Sequence, residues 1–499
     1  MIIRNKLKYI LICLFSFFYV LGFAPYNYLW LGIIAILGIS AIFKSAKNRK
    51  ETVRFAVLSA LVISCFGAYW LVYAANYTFD SKILGALVLV GFALLYSVFM
   101  LMIAIPIYWA NKNEKFFYVV LVLSWSAMDA FKFYFLGGFP WFLSAYLWGQ
   151  IPPITQIVSV IGLVGLSILT YALIFSCFIL FNGNYKRAFR YNLFLILVVI
   201  FAGFYIYGQE RINHLNALAP EKTLRIRLVQ TNIDQTTKIN LNNSEIIATS
   251  VLPQISDSIE QVNPQMIFLP ETTFVYFDAE YFANKIRQTP KNTALIVGVL
   301  RIDEKNRAFN SVFNIVNHQT IDYYDKNKLV PFGERMPLAD YLPNFFSFVG
   351  LESLTPGSKV NIFAVDDYRL VPTVCFEGLF PLEGITANDV DFIVNVANEA
   401  WFDQSIELAQ NWDIYKYRSI ETGVVALKVA NTGISGAYDF TGKLLHQAEP
   451  FQKVNVDLVL PIKKVKTIFS LINYHTINYV VFILYGIMVL LIFLRKKSV

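Results

Sequence analysis

The sequence predicts a helical membrane bundle of seven spans, then an α/β domain, then an eighth span near the end of the chain. Three observations carry this. Of 499 residues, 56% are hydrophobic and only 15% charged, and the mean hydropathy is +0.52; a water-soluble domain carries about 25% charged residues. The apolar residues gather into eight long runs. Between about 222 and 465 the texture changes: charges, Asn, Gln, Thr and Pro become frequent, and apolar runs shorten to strand length. Disorder is excluded, because 44 Phe and 29 Tyr would collapse. Neither Gly at every third residue nor sustained heptads are present, which excludes a collagen-like or coiled-coil rod.

The first seven runs lie at about 7–23, 27–44, 55–77, 83–109, 116–135, 154–181 and 190–207, and the eighth at about 474–494. Each approaches the roughly 20 residues that cross a hydrocarbon core as a helix. The first follows Arg4, Lys6 and Lys8 but precedes no small-residue cleavage site, so it reads as a retained helix. The expected domains are 1–210 for the seven-helix bundle, 222–465 for the α/β domain, and 474–494 for the closing helix.

Lys and Arg in the short loops set the orientation. Basic clusters occur at the N-terminus, at Lys44, Lys47, Arg49, Lys50 and Arg54, at Lys112 and Lys115, at Lys186, Arg187 and Arg190, and at Arg495, Lys496 and Lys497. The alternate loops are nearly free of positive charge; Lys82 stands alone in its own. With eight spans, every cluster falls on one side. Both termini are then cytoplasmic and the α/β domain is extracytoplasmic. The net charge of +8 is largely this topology signal, with anionic lipid headgroups nearby, and needs no nucleic-acid partner.

Three of the four cysteines, Cys13, Cys65 and Cys177, fall inside the expected spans, and only Cys375 lies in the α/β domain. That domain therefore has no internal disulfide, and a lone thiol in an oxidising compartment is unusual. Taken alone, it reads as a buried strand cysteine.

Strands are expected at 225–230, 266–269, 294–299, 310–316, 370–374, 392–396 and 424–429, with helices at about 243–262, 278–288 and 404–421. The alternation argues for a layered α/β domain. Three polar motifs follow strands: Pro270-Glu271-Thr272 after the second, Tyr324 to Glu334 with Lys326 after the fourth, and Cys375-Phe376-Glu377 after the fifth. Strand ends are where α/β folds collect chemistry. Each motif also has a plain explanation: Glu271 caps a turn, Lys326 is solvated beside Asp325 and Lys328, and Glu377 pairs with a surface base. Together they supply a carboxylate, an ammonium and a thiol. A carboxylate can take the thiol proton, and an ammonium with a backbone N–H can hold the oxyanion formed when the thiolate attacks a carbonyl. A Cys-His site is the competitor, but His214, His318, His446 and His475 sit at no comparable strand end. Metal signatures and glycine-rich phosphate loops are missing, so no metal or cofactor is expected.

These motifs resemble those of the carbon–nitrogen hydrolase (nitrilase) superfamily over residues 222–460. With the helices on either side, the chain is similar to its membrane branch, the apolipoprotein N-acyltransferase family. The resemblance rests on Leu329-Val-Pro-Phe-Gly-Glu334 with Lys326, on Cys375-Phe-Glu377, on Asn398-Glu-Ala-Trp-Phe402 and on Asn431-Thr-Gly-Ile-Ser435. In the membrane part it rests on Gly138-Phe-Pro-Trp141, with Trp125, Asp129 and Lys132 where Trp, Glu and Arg are expected. Asp129 and Lys132, three apart on an expected helix, read as a mutually neutralising pair.

The resemblance implies an α-β-β-α sandwich with Glu271 as general base, Lys326 stabilising the tetrahedral intermediate, and Cys375 as the nucleophile that becomes a thioester. It also implies the Phe376 N–H in the oxyanion hole, with Glu334 and Glu377 orienting the Lys and the substrate amine. Trp401, with Asn398 and Phe402, would form a mobile substrate loop over the acyl entrance. Phe332, Phe345, Phe346, Phe348 and Phe402 are candidates to line an acyl pocket, or ordinary packing residues. Phe376 stands where the family often has Tyr, Glu399 where Asp is more usual, and Ile239 where Trp is expected.

The implied reaction takes an acyl chain from a membrane phospholipid and passes it, through the thioester, to the α-amine of a diacylglyceryl-modified lipoprotein N-terminus. It would be carried out by a monomer in a bacterial cytoplasmic (inner) membrane, with the α/β domain on the periplasmic face. A membrane-tethered amidase with the same triad is the alternative, though one span would serve as a tether. A transporter or flippase would want polar residues along a path through the bundle, or broken helices in symmetric halves. The spans carry one ion pair and no evident repeat.

Overall fold

The structure is a computed structural model and describes residues 2–110, 116–181, 185–239, 244–275, 293–317, 319–336 and 354–497. The helix expected over 278–288, His318, and Phe345, Phe346 and Phe348 lie outside the described residues. The chain divides into two compact units. One comprises Met1–Asn216, Gln404–Asp413 and Ile472–Val499; the other comprises Ala217–Asp403 and Ile414–Leu471.

The first unit is helical. Its elements are α1 (Ile2–Leu21), α2 (Leu29–Lys44), α3 (Arg49–Gly67), α4 (Leu71–Phe79), α5 (Lys82–Ala110), α6 (Phe117–Phe131), a short α7 (Pro152–Thr155), α8 (Val158–Leu180), α9 (Arg187–Ala217) and the closing helix Tyr474–Lys497. Among the described residues four helices are long and apolar enough to cross a membrane: α5, α8, α9 and Tyr474–Leu494. The pair α3 and α4 passes the same test together, while α2 and α6 are shorter apolar helices.

Three of the expected spans depart from a single continuous helix; in the one at 154–181, α8 is interrupted at Gly162 (φ +65°, ψ 179°). The run at 55–77 is two helices bent by 74°, because Ala68 leaves the helical region (φ −134°, ψ 21°) directly after Gly67. The break frees the Gly67 carbonyl, which accepts from Trp70 Nε1 (3.2 Å) and Gln410 Nε2 (3.1 Å). Irregular backbone in an apolar unit needs such substitutes for the lost ladder. The run at 116–135 stops as a helix at Phe131. Beyond it Leu136, Gly137 and Gly138 all take positive φ, which no regular helix continues through.

The loop that follows is fastened by the expected ion pair. Lys132 Nζ donates to Asp129 Oδ1 (3.1 Å) and to the Phe142 carbonyl (2.8 Å). Asp129 Oδ2 accepts from the Ser144 N–H (2.9 Å) and the Tyr171 hydroxyl (2.9 Å). Tyr19 adds a second donor to the Phe142 carbonyl at 2.8 Å, and Trp125, buried against Tyr19 and Tyr171, donates to Ser40 Oγ (2.9 Å). Both charges are fully buried, so the pair depends on these bonds to offset its desolvation.

The second unit is built on two sheets. The first runs in the order β13 (Val454–Ile462), β1 (Lys222–Gln230), β2 (Met266–Phe268), β4 (Ala294–Ile302), β5 (Ala308–Val316), β6 (Gln319–Asp325), with β3 (Phe274–Val275) on β4. The second runs β12 (Leu444–Gln447), β11 (Gly436–Tyr438), β10 (Val425–Ala430), β9 (Phe392–Ala397), β8 (Tyr368–Val374), β7 (Phe363–Val365).

Alternation with period 2 decides which residues meet. Leu224, Ile226 and Leu228 of β1, Met266 and Phe268 of β2, and Ile296 of β4 join Phe392, Val394 and Val396 of β9 and Val425, Leu427 and Val429 of β10 in one core. The intervening Ile267, Leu295, Val297 and Val299 face the other way, against Val251 and Ile255 of α11 (Ser244–Ser256) and Ile259 of α12 (Ile259–Val262), which follow the short α10 (Gln235–Ile239). On the second sheet α13 (Glu407–Thr422) packs through Tyr415, whose hydroxyl donates to the Leu427 carbonyl of β10 (2.9 Å).

All seven expected strands are present, as β1, β2, β4, β5, β8, β9 and β10. β6 was not expected. It pairs antiparallel with β5 and moves the start of the Lys326 motif from a loop to a strand end.

Candidate active site

The three motifs converge. Glu271 follows β2, Lys326 follows β6, and Cys375 opens the turn after β8. Left-handed backbone marks each: Thr272 (φ +45°), Phe332 (φ +65°) and Cys375 (φ +49°). For residues with a Cβ this conformation costs on the order of 1–2 kcal/mol each, strain that structures retain at functional sites. Gly298 makes the Glu271 turn possible, since a Cβ there would sit 2.4 Å from the Pro270 carbonyl oxygen and 2.5 Å from Glu271 Cα.

The Glu271 carboxylate is held at both oxygens. Oε1 accepts from Asn310 Nδ2 (2.6 Å) and lies 3.5 Å from Lys326 Nζ. Oε2 accepts from the Asn398 backbone N–H at 2.7 Å. Lys326, itself fully buried, has its ammonium 2.8 Å from Glu334 Oε2 and 2.9 Å from Oε1. Burial pulls that ammonium down, but the Glu334 and Glu271 carboxylates outweigh it and hold Lys326 above the usual lysine range. Lys326 is therefore a permanent cation. The Cys375 thiol moves the opposite way to an activated thiolate: burial first, then the Glu271 charge, push it well above its ordinary value, and Lys326 only partly opposes them. A thiol held neutral beside a carboxylate needs that carboxylate to remove its proton as it attacks.

Glu334 has three partners. It bridges Lys326, Asn310 Nδ2 (2.9 Å) and the Val330 N–H (2.8 Å). Glu377 has a different set of partners. Oε1 accepts from the Tyr324 hydroxyl (2.7 Å), the Asn327 N–H (3.0 Å) and the Lys328 N–H (3.1 Å), and Oε2 from the Val374 N–H (3.1 Å). These bonds tie the Lys326 loop to the end of β8. Phe376 is buried with its ring edge-on to Phe380, centroids 5.0 Å apart.

Asn398 is an interior residue. Besides its bond to Glu271, its amide donates to Gln235 Oε1 (2.9 Å) and accepts from Asn431 Nδ2 (3.0 Å). Asn431 in turn accepts from the Thr231 hydroxyl (2.7 Å) and the Ile233 N–H (2.9 Å). Trp401 and Phe402 end the short turn Glu399–Phe402 and are half-buried. That turn is anchored by Glu399, which pairs with the buried Lys428 of β10. Phe332 is 53% exposed.

Two polar residues at this site were not singled out in the sequence. Asn310 donates to both Glu271 and Glu334, joining the two carboxylates that flank Lys326. Lys238 donates to the Glu271 carbonyl (2.9 Å), and burial, partly opposed by Glu271, lowers it to about 8. The available signal for Asn310 was an amide, one of two with Asn314, inside a strand, and for Lys238 its place in Gln235-Thr-Thr-Lys238.

Residues 15–175 match the apolipoprotein N-acyltransferase N-terminal domain, and residues 225–460 match carbon-nitrogen hydrolase. Three proteins named apolipoprotein N-acyltransferase illustrate the similarity. That of Rhodopseudomonas palustris is 27% identical over 76% of this chain and 73% of its own. That of Wigglesworthia glossinidia brevipalpis is 25% identical over 87% of each. That of Haemophilus influenzae is 26% identical over 91% of this chain and 89% of its own. The two domain matches, in this order along one chain, and relatives similar across both together show that the chain belongs to the apolipoprotein N-acyltransferase family.

Proposed function

We propose that the chain is a membrane N-acyltransferase that acylates lipoproteins through a thioester on Cys375. The single observation that carries the chemistry is the placement of the permanently charged Lys326 between Glu271 and Glu334, with these same groups acting on the Cys375 thiol. Family membership supplies the substrate class.

In the first half-reaction Glu271 takes the Sγ proton as Sγ bonds to the ester carbonyl carbon of a phospholipid. The oxyanion is met by the Phe376 N–H and Lys326 Nζ. Collapse breaks the ester C–O bond, the leaving alkoxide takes the proton from Glu271, and a lysophospholipid departs. In the second, the α-amine of a diacylglyceryl-cysteine attacks the thioester carbonyl, Glu271 accepts its proton, and the C–S bond breaks. The thiolate recovers the proton and the amide leaves. Glu334 holds Lys326 in place and Glu377 holds its loop; Trp401 and Phe402, with Asn398 beneath them, border the acyl entrance.

Residues 1–210 and 474–494 form an eight-span bundle, and 222–465 the catalytic domain. The alternating loop charges support both termini lying in the cytoplasm of a bacterial cell, with the catalytic domain on the outer face of the inner membrane. There both lipid-anchored substrates arrive by diffusion in the plane, and the thioester has to be shielded from water, which would hydrolyse it. The protein works as a monomer.

The test is intact mass after incubation with phospholipid. The wild type gains an acyl-sized adduct that hydroxylamine removes, and Cys375→Ala gains none. A wild type that never carries the adduct, or a Cys375→Ala variant that still does, contradicts the reading.

A further inference from the structure

Sequence position alone makes Asn395 a blemish: an amide in the middle of Phe392-Ile-Val-Asn-Val396, on the fully buried strand β9. A buried primary amide must find partners or leave its desolvation uncompensated. Asn395, 1% exposed, finds two. Its Nδ2 donates to Thr373 Oγ1 at 3.0 Å and to the carbonyl oxygen of Cys375 at 3.0 Å. Thr373 closes the set by donating from its hydroxyl to the Val394 carbonyl (3.2 Å). The fit is close on the far side as well. A Cβ on Gly378 would lie 2.4 Å from Asn395 Nδ2 and 2.9 Å from its Cγ, so residue 378 has no side chain where the amide sits.

The Cys375 carbonyl belongs to the same peptide unit as the Phe376 N–H. That unit is planar and trans, so its C=O and N–H point in opposite directions. A donor fixed on the carbonyl therefore fixes the aim of the N–H on the other side. The unit also needs holding, because Cys375 stands at φ +49°, away from the basins an L-residue prefers. Glu377, by accepting from the Val374 N–H, restrains the Thr373–Val374 peptide, two units before the Cys375–Phe376 peptide, and does not hold the latter.

We infer that Asn395 is a positioning residue for the oxyanion hole: its amide holds the Cys375–Phe376 peptide so that the Phe376 N–H faces the oxygen of the attacked carbonyl. This rests on the thioester reading of Cys375. The bond also polarises the peptide, strengthening the N–H as a donor. Loss of the amide then lowers the rate of acyl transfer while leaving the thiol in place and able to react with reagents that form no oxyanion.

The experiment compares two reactions at the same sulfur in the full-length protein. One is acylation by phospholipid, read as adduct formation by intact mass. The other is alkylation by iodoacetamide, which proceeds by displacement without a tetrahedral oxyanion. Asn395→Leu, near in volume but without a donor, should acylate about 10–100-fold more slowly while alkylating within about twofold of wild type. Gly378→Ala, which keeps every donor but crowds the amide, is the second variant for the case in which the first does not fold. It should show the same split with a smaller acylation loss. If both rates fall together in the folded variants, or neither falls, Asn395 is an ordinary packing residue and the inference is overturned. A wild type that forms no adduct overturns the thioester reading, and the inference with it.

Discussion

Buried carboxylate–ammonium pairs occur in both units of this molecule, and one from each can be set side by side. Asp129–Lys132 in the helical unit and Glu271–Lys326 in the α/β unit have similar separations, 3.1 and 3.5 Å, and neither lysine has any exposed surface. Their surroundings differ. Around Asp129 and Lys132 the neighbours are structural: the Phe142 carbonyl, the Ser144 N–H and the Tyr171 hydroxyl, all fastening one loop to two helices. Around Lys326 there are two carboxylates for one ammonium, and a cysteine on a left-handed turn whose thiol these charges act on. A saturated pair is a fastener. An unbalanced set beside a cysteine suits charge that would appear only during a reaction.

The widest separation between the two should come from removing each lysine. Lys326→Met is expected to slow thioester formation by about 10³-fold and also to destabilise the α/β unit by about 3–5 kcal/mol, because two carboxylates lose their counter-charge. Lys132→Met is expected to cost a similar 3–5 kcal/mol, read as a lower thermal midpoint and yield, with the rate per folded molecule unchanged. A Lys132 variant that folds normally but acylates slowly would erase the contrast. Glu271→Gln keeps the shape but cannot take a proton; a loss of about 10²–10³-fold in acylation is expected, with about 1–3 kcal/mol of stability lost because the new NH₂ must face either the Asn398 N–H or the Asn310 amide.

Glu377→Gln tests a fastener inside the catalytic unit. Turning one acceptor oxygen into an NH₂ sets a donor against either the Val374 N–H or the Tyr324, Asn327 and Lys328 group. That should cost about 1–3 kcal/mol with a smaller effect on rate than Glu271→Gln, measured by denaturation midpoint alongside adduct kinetics.

The smallest effect is in pH. Lys238 is lowered from 10.5 to about 8 by burial, so in the folded state it sheds its proton before it does in the unfolded chain. Between about pH 8 and 10 the unfolded state binds more protons, and stability therefore rises with pH. The contribution is complete above the unfolded value and is lost as pH falls through about 8. Lys238→Met should flatten this rise by about 2 kcal/mol, seen as a smaller difference in midpoint between pH 7.5 and 10.

Glu271 and Cys375 are legible in the amino-acid sequence because each directly follows an apolar run of strand length. Lys326 is legible through its motif, with Glu334 eight residues after it. Asn310, Lys238 and Asn395 are not, since their partners are 39, 33 and 20 residues away. An Asn in an apolar run reads as poor strand propensity rather than as a hydrogen bond. The seven expected strands are central and apolar. β6 was hidden because Gln319–Asp325 is a polar edge strand, exposed along most of its length. The fold of the run at 55–77 was misread for the opposite reason: hydropathy continues unbroken through Gly67-Ala-Tyr-Trp70, while the backbone bends there. Hydropathy reports where a chain is apolar, and not whether its carbonyls stay in one ladder.

The most direct test of the account is a chase on the acyl-enzyme. Wild-type protein is loaded with acyl chain from phospholipid, freed of donor, and mixed with a diacylglyceryl-cysteine peptide bearing a free α-amine. The account predicts that the Cys375 adduct disappears as N-acyl peptide appears in equal amount, and persists when the peptide's amine is blocked. An adduct that decays to free fatty acid at one rate, whether or not the amine is present, would contradict it and make the chain a hydrolase.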